Sequence, residues 1–277
     1  MEIVVARSAG YCMGVRRAIE MAVRVAEEEG RTVYTHGPLI HNPQALEDLR
    51  RKGVVPLSES ESVPRAPVII RAHGVSRETE QRLALEAERL VDATCPKVAT
   101  IQKKVQDFGA RGYAVVIAGD ADHPEVVGLL GHAVGPAYVV SRAEEVDGLP
   151  ALGAVVLVAQ TTQDQATFET IRARLIARFP HAEALATICE STHRRQTEVR
   201  ELASQVDAVV VIGGRSSANT RRLAEIVRSL GAEAYHVETA AELPLDRIRA
   251  KARVGITAGA STPTWIIDEV VRTLSEL

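Results

Sequence analysis

Cysteine is scarce in this chain. Only Cys12, Cys95 and Cys189 are present, each at least 83 positions from the next. An odd number of cysteines cannot all pair, which excludes a disulfide framework, and the absence of any close C-x-x-C pair disfavours a structural zinc site. No block of Lys or Arg occurs, and the formal net charge is -3, which argues against a nucleic-acid surface. The start, MEIVVARSAGYC, holds only a four-residue apolar run. That is too short for a signal peptide or a membrane anchor, so no membrane association and a cytoplasmic location are expected. There is no G-x-x-x-x-G-K-[ST] phosphate loop and no acidic cluster pointing to bound magnesium. Aromatic residues make up 3% of the chain, yet 46% of its 277 residues are hydrophobic, enough to bury a large core across two or three domains.

What is present repeats. Each cysteine follows a short apolar run and precedes a helical pattern: IVVARSAGYC before MGVRRAIEMAVRVAEEEG, RLVDATC before PKVATIQKKVQDFGARG, and ALATIC before ESTHRRQTEVRELASQV. A β-rich run and a polar loop come next, as TVYTHGPLIHNPQ, YAVVIAGDADHPE and DAVVVIGGRSSANT. Counted from each cysteine, His41 lies 29 residues on, His123 lies 28 on and Ser217 lies 28 on. Further strands follow in VVPLSESESVP, YVVSRAEEVDGLP and YHVETAAELP, with S-x-x-E or T-x-x-E spellings that read as capping boxes for a short helix. A last buried strand then delivers a third polar loop in PVIIRAHGVS, AVVLVAQTTQD and RVGITAGASTP.

The continuous apolar runs fit strands buried on both faces of a parallel sheet, and the helical patterns fit right-handed crossovers. The expected fold is therefore α/β, with three pseudo-threefold-related units of about 90 residues, residues 1–93, 94–187 and 188–277, each contributing one cysteine. Ligands of open parallel α/β sheets bind beyond the carboxyl ends of the strands, where all the cysteine loops and polar loops lie. A free cysteine taken singly is often core filler, but three in one register point to a shared centre. Three thiolates without a fourth fit a 4Fe-4S cluster that keeps one iron open for substrate.

The segments GYCMGVRRAIEMA, GPLIHNPQALEDL, RAHGVS, DATCPKV, DADHPEVVGLLGH, AQTTQ and AGASTP, in this order, resemble the 4-hydroxy-3-methylbut-2-enyl diphosphate reductase family over nearly the whole chain. The resemblance implies a trefoil of three α/β domains around one 4Fe-4S cluster held by Cys12, Cys95 and Cys189. It also implies a reductive dehydration that yields isopentenyl and dimethylallyl diphosphate, driven by an external one-electron donor of ferredoxin or flavodoxin type. The closest rival is a three-cysteine iron-sulfur dehydratase like quinolinate synthase, and a second is a cluster-based redox sensor without turnover.

The polar loops hold what an anionic substrate needs. His41, His73, His123, Ser217, Asn219 and Ser261 are short donors placed after strands, where helix N-termini add backbone N–H groups, and these positions match the family's diphosphate contacts. Glu125, two residues after His123, is the expected proton donor, since a carboxyl screened from water holds its proton to higher pH. By resemblance, the Thr161 hydroxyl passes or orients that proton. Where the family usually reads Asn-Ser-Ser-Asn-Thr, this chain has Ser216, Ser217, Ala218, Asn219 and Thr220. One hydroxyl is missing, and Ser216 is expected to replace it. Ser191, after Cys189, stands where the family usually has a smaller residue, while Thr192 still matches a hydroxyl near the substrate.

Overall fold

A computed structural model describes residues 1–58 and 61–277. The chain opens with β1 (Glu2–Val5), α1 (Met13–Glu29), β2 (Val33–His36), α2 (Pro43–Arg51), β3 (Val54–Leu57), β4 (Pro67–Ile70), α3 (Arg77–Glu86) and β5 (Arg89–Asp92). It continues through α4 (Pro96–Ala110), β6 (Ala114–Ala118), α5 (Pro124–His132), β7 (Ala137–Val140), β8 (Val155–Ala159), α6 (Gln165–Arg178) and β9 (Glu183–Ala184). Last come α7 (Glu190–Ala203), β10 (Ala208–Ile212), α8 (Ala218–Ser229), β11 (Glu233–Val237), α9 (Leu245–Ile248), β12 (Arg253–Ala258) and α10 (Thr264–Ser275).

The strands form three four-stranded sheets, β3-β2-β4-β5, β7-β6-β8-β9 and β11-β10-β12-β1, and every pairing is parallel. Each sheet has the same order once the equivalent strands are aligned, so the repeat in the sequence is a repeat of topology. The runs PVII, AVVIA, VVLVA and AVVVI are buried at every position, as strands covered on both faces must be.

The first strand joins a sheet whose other members lie outside residues 1–93. β1 pairs with β12, so the N-terminal strand completes the sheet built from the C-terminal third of the chain. The Glu2 and Ala6 N–H groups donate to Ala252 O and Ile256 O, and without β1 this edge of β12 would be left unpaired. Each cysteine accordingly lies past the edge strand of one sheet, β1, β5 or β9, and before the helix that leads into the next. The expected capping boxes also shift. Short 3-10 helices cover Ala143–Gly148 and Ala240–Glu242. In both, the carboxylate reaches past the N-cap to the N–H before it: Glu145 accepts from Ser141 at 2.7 Å and Glu242 from Glu238 at 3.3 Å. The first of the three boxes, SESE from Ser58, falls partly outside the described residues.

Packing divides the chain into two compact units, one of Met1–Arg16, Ile40–Asp48 and Glu190–Leu277, the other of Arg17–Leu39 and Leu49–Cys189. In the first, β10 and β12 turn Val210, Ile212 and Ile256 toward α10 residues Ile266 and Val270. The other face of that sheet packs Val209 and Val211 against Val199 of α7 and Leu223 and Val227 of α8. In the second unit, Phe168, Ile171 and Leu175 of α6 cover one face of the β6–β8 sheet, and Ile101 and Val105 of α4 with Val126 and Leu129 of α5 cover the other.

Within this second unit α5 also meets the start of α3. The His132 Nε2–H donates to Val75 O at 3.1 Å, and burial pushes the imidazole below its ordinary range, which suits a neutral donor. Gly131 makes the approach possible, because a Cβ there would lie 2.2 Å from Ser76 Cβ. Gly131→Ala is expected to destabilise the fold by about 1 to 3 kcal/mol through overpacking. Gly153→Ala, whose Cβ would meet nothing within 4 Å, is expected to stay within about 0.5 kcal/mol of wild type. Urea midpoints measure both, and equal midpoints would refute the close contact.

Candidate functional site

The three cysteines share one backbone arrangement. Each stands immediately before the first residue of a helix, Cys12 before α1, Cys95 before α4 and Cys189 before α7. Each also donates its N–H to a carbonyl in the loop after the neighbouring strand: Cys12 to Ala260 O at 3.1 Å, Cys95 to Ala72 O at 3.0 Å and Cys189 to Thr161 O at 3.0 Å. All three are half-buried free thiols. Val15 N–H points at the Cys12 sulfur, 3.5 Å away, as an N-cap contact. The C-P dipeptide of DATCPKV has a local cause. A residue before proline is held extended, as Cys95 is at φ -59° and ψ 130°, while Pro96 gives up no hydrogen bond at the first helical position. The positive end of each helix therefore faces the sulfur region, an environment that favours anions.

In the second unit, Glu125 and Thr161 lie together. Thr161 donates its N–H to Glu125 Oε1 at 2.5 Å and its hydroxyl to Oε2 at 2.6 Å. The pair is shielded from water, with Glu125 2% and Thr161 7% exposed. Glu125 is the second residue of α5, and His123 is the N-cap, its Nδ1 accepting the Glu125 N–H at 3.1 Å. That bond fixes the tautomer. A neutral His123 must carry its proton on Nε2 and can donate there to an anion. His73, in the loop after β4, sets its ring edge-on to His123 with centroids 5.5 Å apart. Gln160, fully buried and not singled out in the sequence, accepts the Asp120 N–H at 3.0 Å and donates to Thr162 at 2.9 Å. It thereby ties the Thr161 loop to the loop that carries His123.

In the first unit, Ser217 is the N-cap of α8, accepting from Thr220 N–H at 3.3 Å and leaving its own hydroxyl proton to donate elsewhere. Asn219 is 4% exposed, and its Nδ2 has no partner among the described residues. Ala218 is 2% exposed, whereas Ser216 beside it is exposed. Ser261 donates its hydroxyl to the His41 carbonyl at 3.0 Å, so in this structure it braces the histidine's backbone. Gly214 closes on the same carbonyl, and a Cβ there would lie 2.6 Å from it. Asn42 Oδ1 accepts from Ala45 N–H at 2.8 Å, which makes Asn42 the N-cap of α2.

Two α7 residues that sequence reasoning passed over hold the loop before Cys12. The buried Arg195 donates to Gly10 O at 2.5 Å and to both the carbonyl and the hydroxyl of Ser191, so the hydroxyl that departs from the family pattern has a defined partner. One turn later, Glu198 accepts from Arg7 N–H at 2.6 Å, from Ser8 N–H at 2.9 Å and from the Ser8 hydroxyl. The only signal for either in the sequence was their place in the helix after Cys189. Thr192, in the same first turn, is buried. Among the remaining histidines, His236 donates to Gly213 O at 2.9 Å, a supporting role like that of His132.

Comparison with known proteins agrees across the full length. The family described as LytB protein matches residues 3–275. A 4-hydroxy-3-methylbut-2-enyl diphosphate reductase of Geobacter sulfurreducens is 47% identical over 277 residues, covering 100% of this chain and 98% of its own. The reductase of Geotalea uraniireducens is 43% identical with the same coverage. Among solved structures, the E-1-hydroxy-2-methyl-but-2-enyl-4-diphosphate reductase of Plasmodium falciparum superposes with a TM-score of 0.94 at 26% identity, covering 98% of this chain and 87% of that one. A second, described as the terminal enzyme of the non-mevalonate pathway, is 39% identical with a TM-score of 0.72 and full coverage of both chains.

The Glu198 clamp yields a pH test. Burial pushes this carboxyl up, but hydrogen bonds from the Ser8 hydroxyl and from the Ser8 and Arg7 amides outweigh it, so it sits below its ordinary value of 4.5. A lowered value in the folded state contributes stability above the unfolded value, and this is lost as pH falls through the folded value. Glu198→Gln is expected to lose about 1 kcal/mol at pH 7, discounted for partial exposure. The deficit should begin to shrink as pH falls below the ordinary value of 4.5 and close once pH has passed the lowered folded value, where wild type is protonated too. Urea denaturation across pH measures it, and an undiminished deficit at low pH would refute the clamp.

Proposed function

The chain belongs to the LytB family, and from that premise we propose that it catalyses the reductive dehydration of 4-hydroxy-3-methylbut-2-enyl diphosphate to isopentenyl and dimethylallyl diphosphate. The observation that carries the reading is the threefold repetition of a cysteine placed immediately before a helix, with its N–H fixed to the loop after the neighbouring strand. The family is iron-sulfur dependent. The donor set fits such a group: three half-buried thiols, no fourth cysteine, and helix N-termini that favour an anionic assembly. In our reading Cys12, Cys95 and Cys189 hold one 4Fe-4S cluster with one open iron. When bound, the cluster supplies Lewis-acidic iron and electrons, delivered singly by a small ferredoxin or flavodoxin.

The side chains do the rest. His41, His73, His123, Ser217 and Asn219 donate to the diphosphate, Ser261 joins them by turning its hydroxyl away from the His41 carbonyl, and Ser216, the exposed residue before the N-cap of α8, stands in for the hydroxyl that Ala218 lacks. Neutral donors and helix ends replace the lysine and magnesium of other phosphate sites. Breaking the allylic C–O bond requires that the oxygen leave as water, so one proton must reach it. Glu125 Oε1 is engaged by a backbone N–H, which leaves Oε2 as the oxygen that carries the proton. With Oε2 ionised the Thr161 hydroxyl donates to it; once Oε2 is protonated the bond reverses, so that Glu125 donates to the Thr161 oxygen, 2.6 Å away, as the Thr161 hydroxyl turns to give its own proton to the departing group. Gln160 keeps the two loops in register for this transfer. Two electrons and a second proton complete the balance. No helix of the described residues is long and apolar enough to cross a membrane, and a biosynthetic role places the protein in the cytoplasm in this proposal.

Two experiments test it. Anaerobically purified protein is expected to be brown with about four irons per chain, and serine at any one of Cys12, Cys95 or Cys189 should sharply reduce bound iron. A colourless, zinc-loaded protein that oxidises reduced methyl viologen with substrate would end the reading. Glu125→Gln keeps the size and hydrogen bonding of the side chain but has no carboxylic proton to give. Its turnover should fall by roughly 100-fold or more with substrate still bound, and near-normal turnover would remove Glu125 from the acid role.

A further inference from the structure

Asn42 carries a function that helix capping leaves unexplained. It is fully buried, 0% exposed, at the N-terminus of a nine-residue helix. Its Oδ1 accepts the Ala45 N–H at 2.8 Å, and only the oxygen of a carboxamide can accept, so the orientation of the amide is fixed. Nδ2 shares the same carbon and is therefore held at the same helix end. It has two hydrogens and no partner among the described residues. For the N-cap duty alone, serine serves equally well, without burying an amino group.

The surroundings point to an anion. Asn42 directly follows His41, whose carbonyl is braced by Ser261 and closely approached by Gly214. Asn219, at the second position of α8 in the same unit, shows the same signature of a buried carboxamide with an unpartnered Nδ2. Two helix N-termini of one unit thus each carry an orphaned amino donor, and such donors are completed by an acceptor. We infer that Asn42 Nδ2 is a further donor to the diphosphate of the substrate, acting beside His41. The inference rests on the diphosphate reading above and extends it to a residue outside the expected set.

Substitution separates capping from binding. Asn42→Ser keeps a cap acceptor and removes the amino donor. Asn42→Asp keeps the acceptor and puts a negative oxygen where the donor was. Inorganic pyrophosphate is titrated calorimetrically into the cluster-loaded full chain under anaerobic conditions, and urea midpoints are taken in parallel. The Ser variant is expected to bind about 10-fold more weakly than wild type at an unchanged midpoint, and the Asp variant more weakly still, with a loss that eases as salt rises. Wild-type affinity in either variant overturns the inference, because both lack the amino donor; a buried water satisfying Nδ2 gives that result. The Asp variant decides alone if the Ser variant does not fold. Should wild type itself fail to bind pyrophosphate, the diphosphate reading falls together with this extension of it.

Discussion

One backbone hydrogen bond recurs wherever the candidate site touches the framework, and the rest depends on it. In a parallel sheet, the chain leaves neighbouring strands at the same end and pointing the same way. The residue after an edge strand can then donate its N–H to the loop that leaves its neighbour. Cys12, Cys95 and Cys189 all use this bond, to Ala260, Ala72 and Thr161. It anchors the residue immediately before each helix to the loop after the neighbouring strand. It also couples each cysteine to a polar loop holding expected site residues: Ser261 beside Ala260, His73 beside Ala72, and Thr161 itself.

The polar loops are held by groups that do no chemistry. Gln160 links the loops after β6 and β8, and Arg195 and Glu198 grip the loop before Cys12 through opposite polarities, one donating to a carbonyl and the other accepting from amides. Isolated polar groups in such places would be costly, and each is matched to a defined partner. Close approach is the second requirement. Gly131 and Gly214 sit where a Cβ would collide with another segment, so the absence of a side chain is what lets α5 reach Ser76 and the α8 loop reach His41. Loops held in this way are the preorganisation that the proposed phosphate recognition and proton transfer need.

Much of this was legible beforehand. The threefold register of cysteines, buried strands and polar loops follows from periodicity, because a parallel strand covered on both faces must be apolar throughout. Glu125 and Thr161 were singled out separately, one as the expected acid and the other by resemblance, and the structure joins them by two short hydrogen bonds. The histidines expected as donors divide in a way their spacing did not reveal. His123 is itself an N-cap, whereas His41 precedes one, so the residue counts of 28 and 29 hide different local roles. Gln160, Arg195 and Glu198 were missed because their importance lies in partners distant in sequence, and Asn42 because its cap bond to Ala45 is ordinary and only its complete burial sets it apart.

The sequence by itself determined the unit that repeats, the identity of the chemical groups, and the ends of the strands on which they sit. Those properties are local: side-chain period, turn residues, and the proline that starts α4. Only the tertiary structure decided which strand completes which sheet. β1 carries nothing in its four residues that distinguishes pairing with β12 from pairing with β2, and its place is set by the edge that β12 would otherwise leave open. Tertiary structure also decided that Ser261 braces His41 and that Asn42 buries an amino group with no partner among the described residues. A hydrogen bond between residues 220 positions apart depends on how loops converge, and no local pattern encodes that convergence.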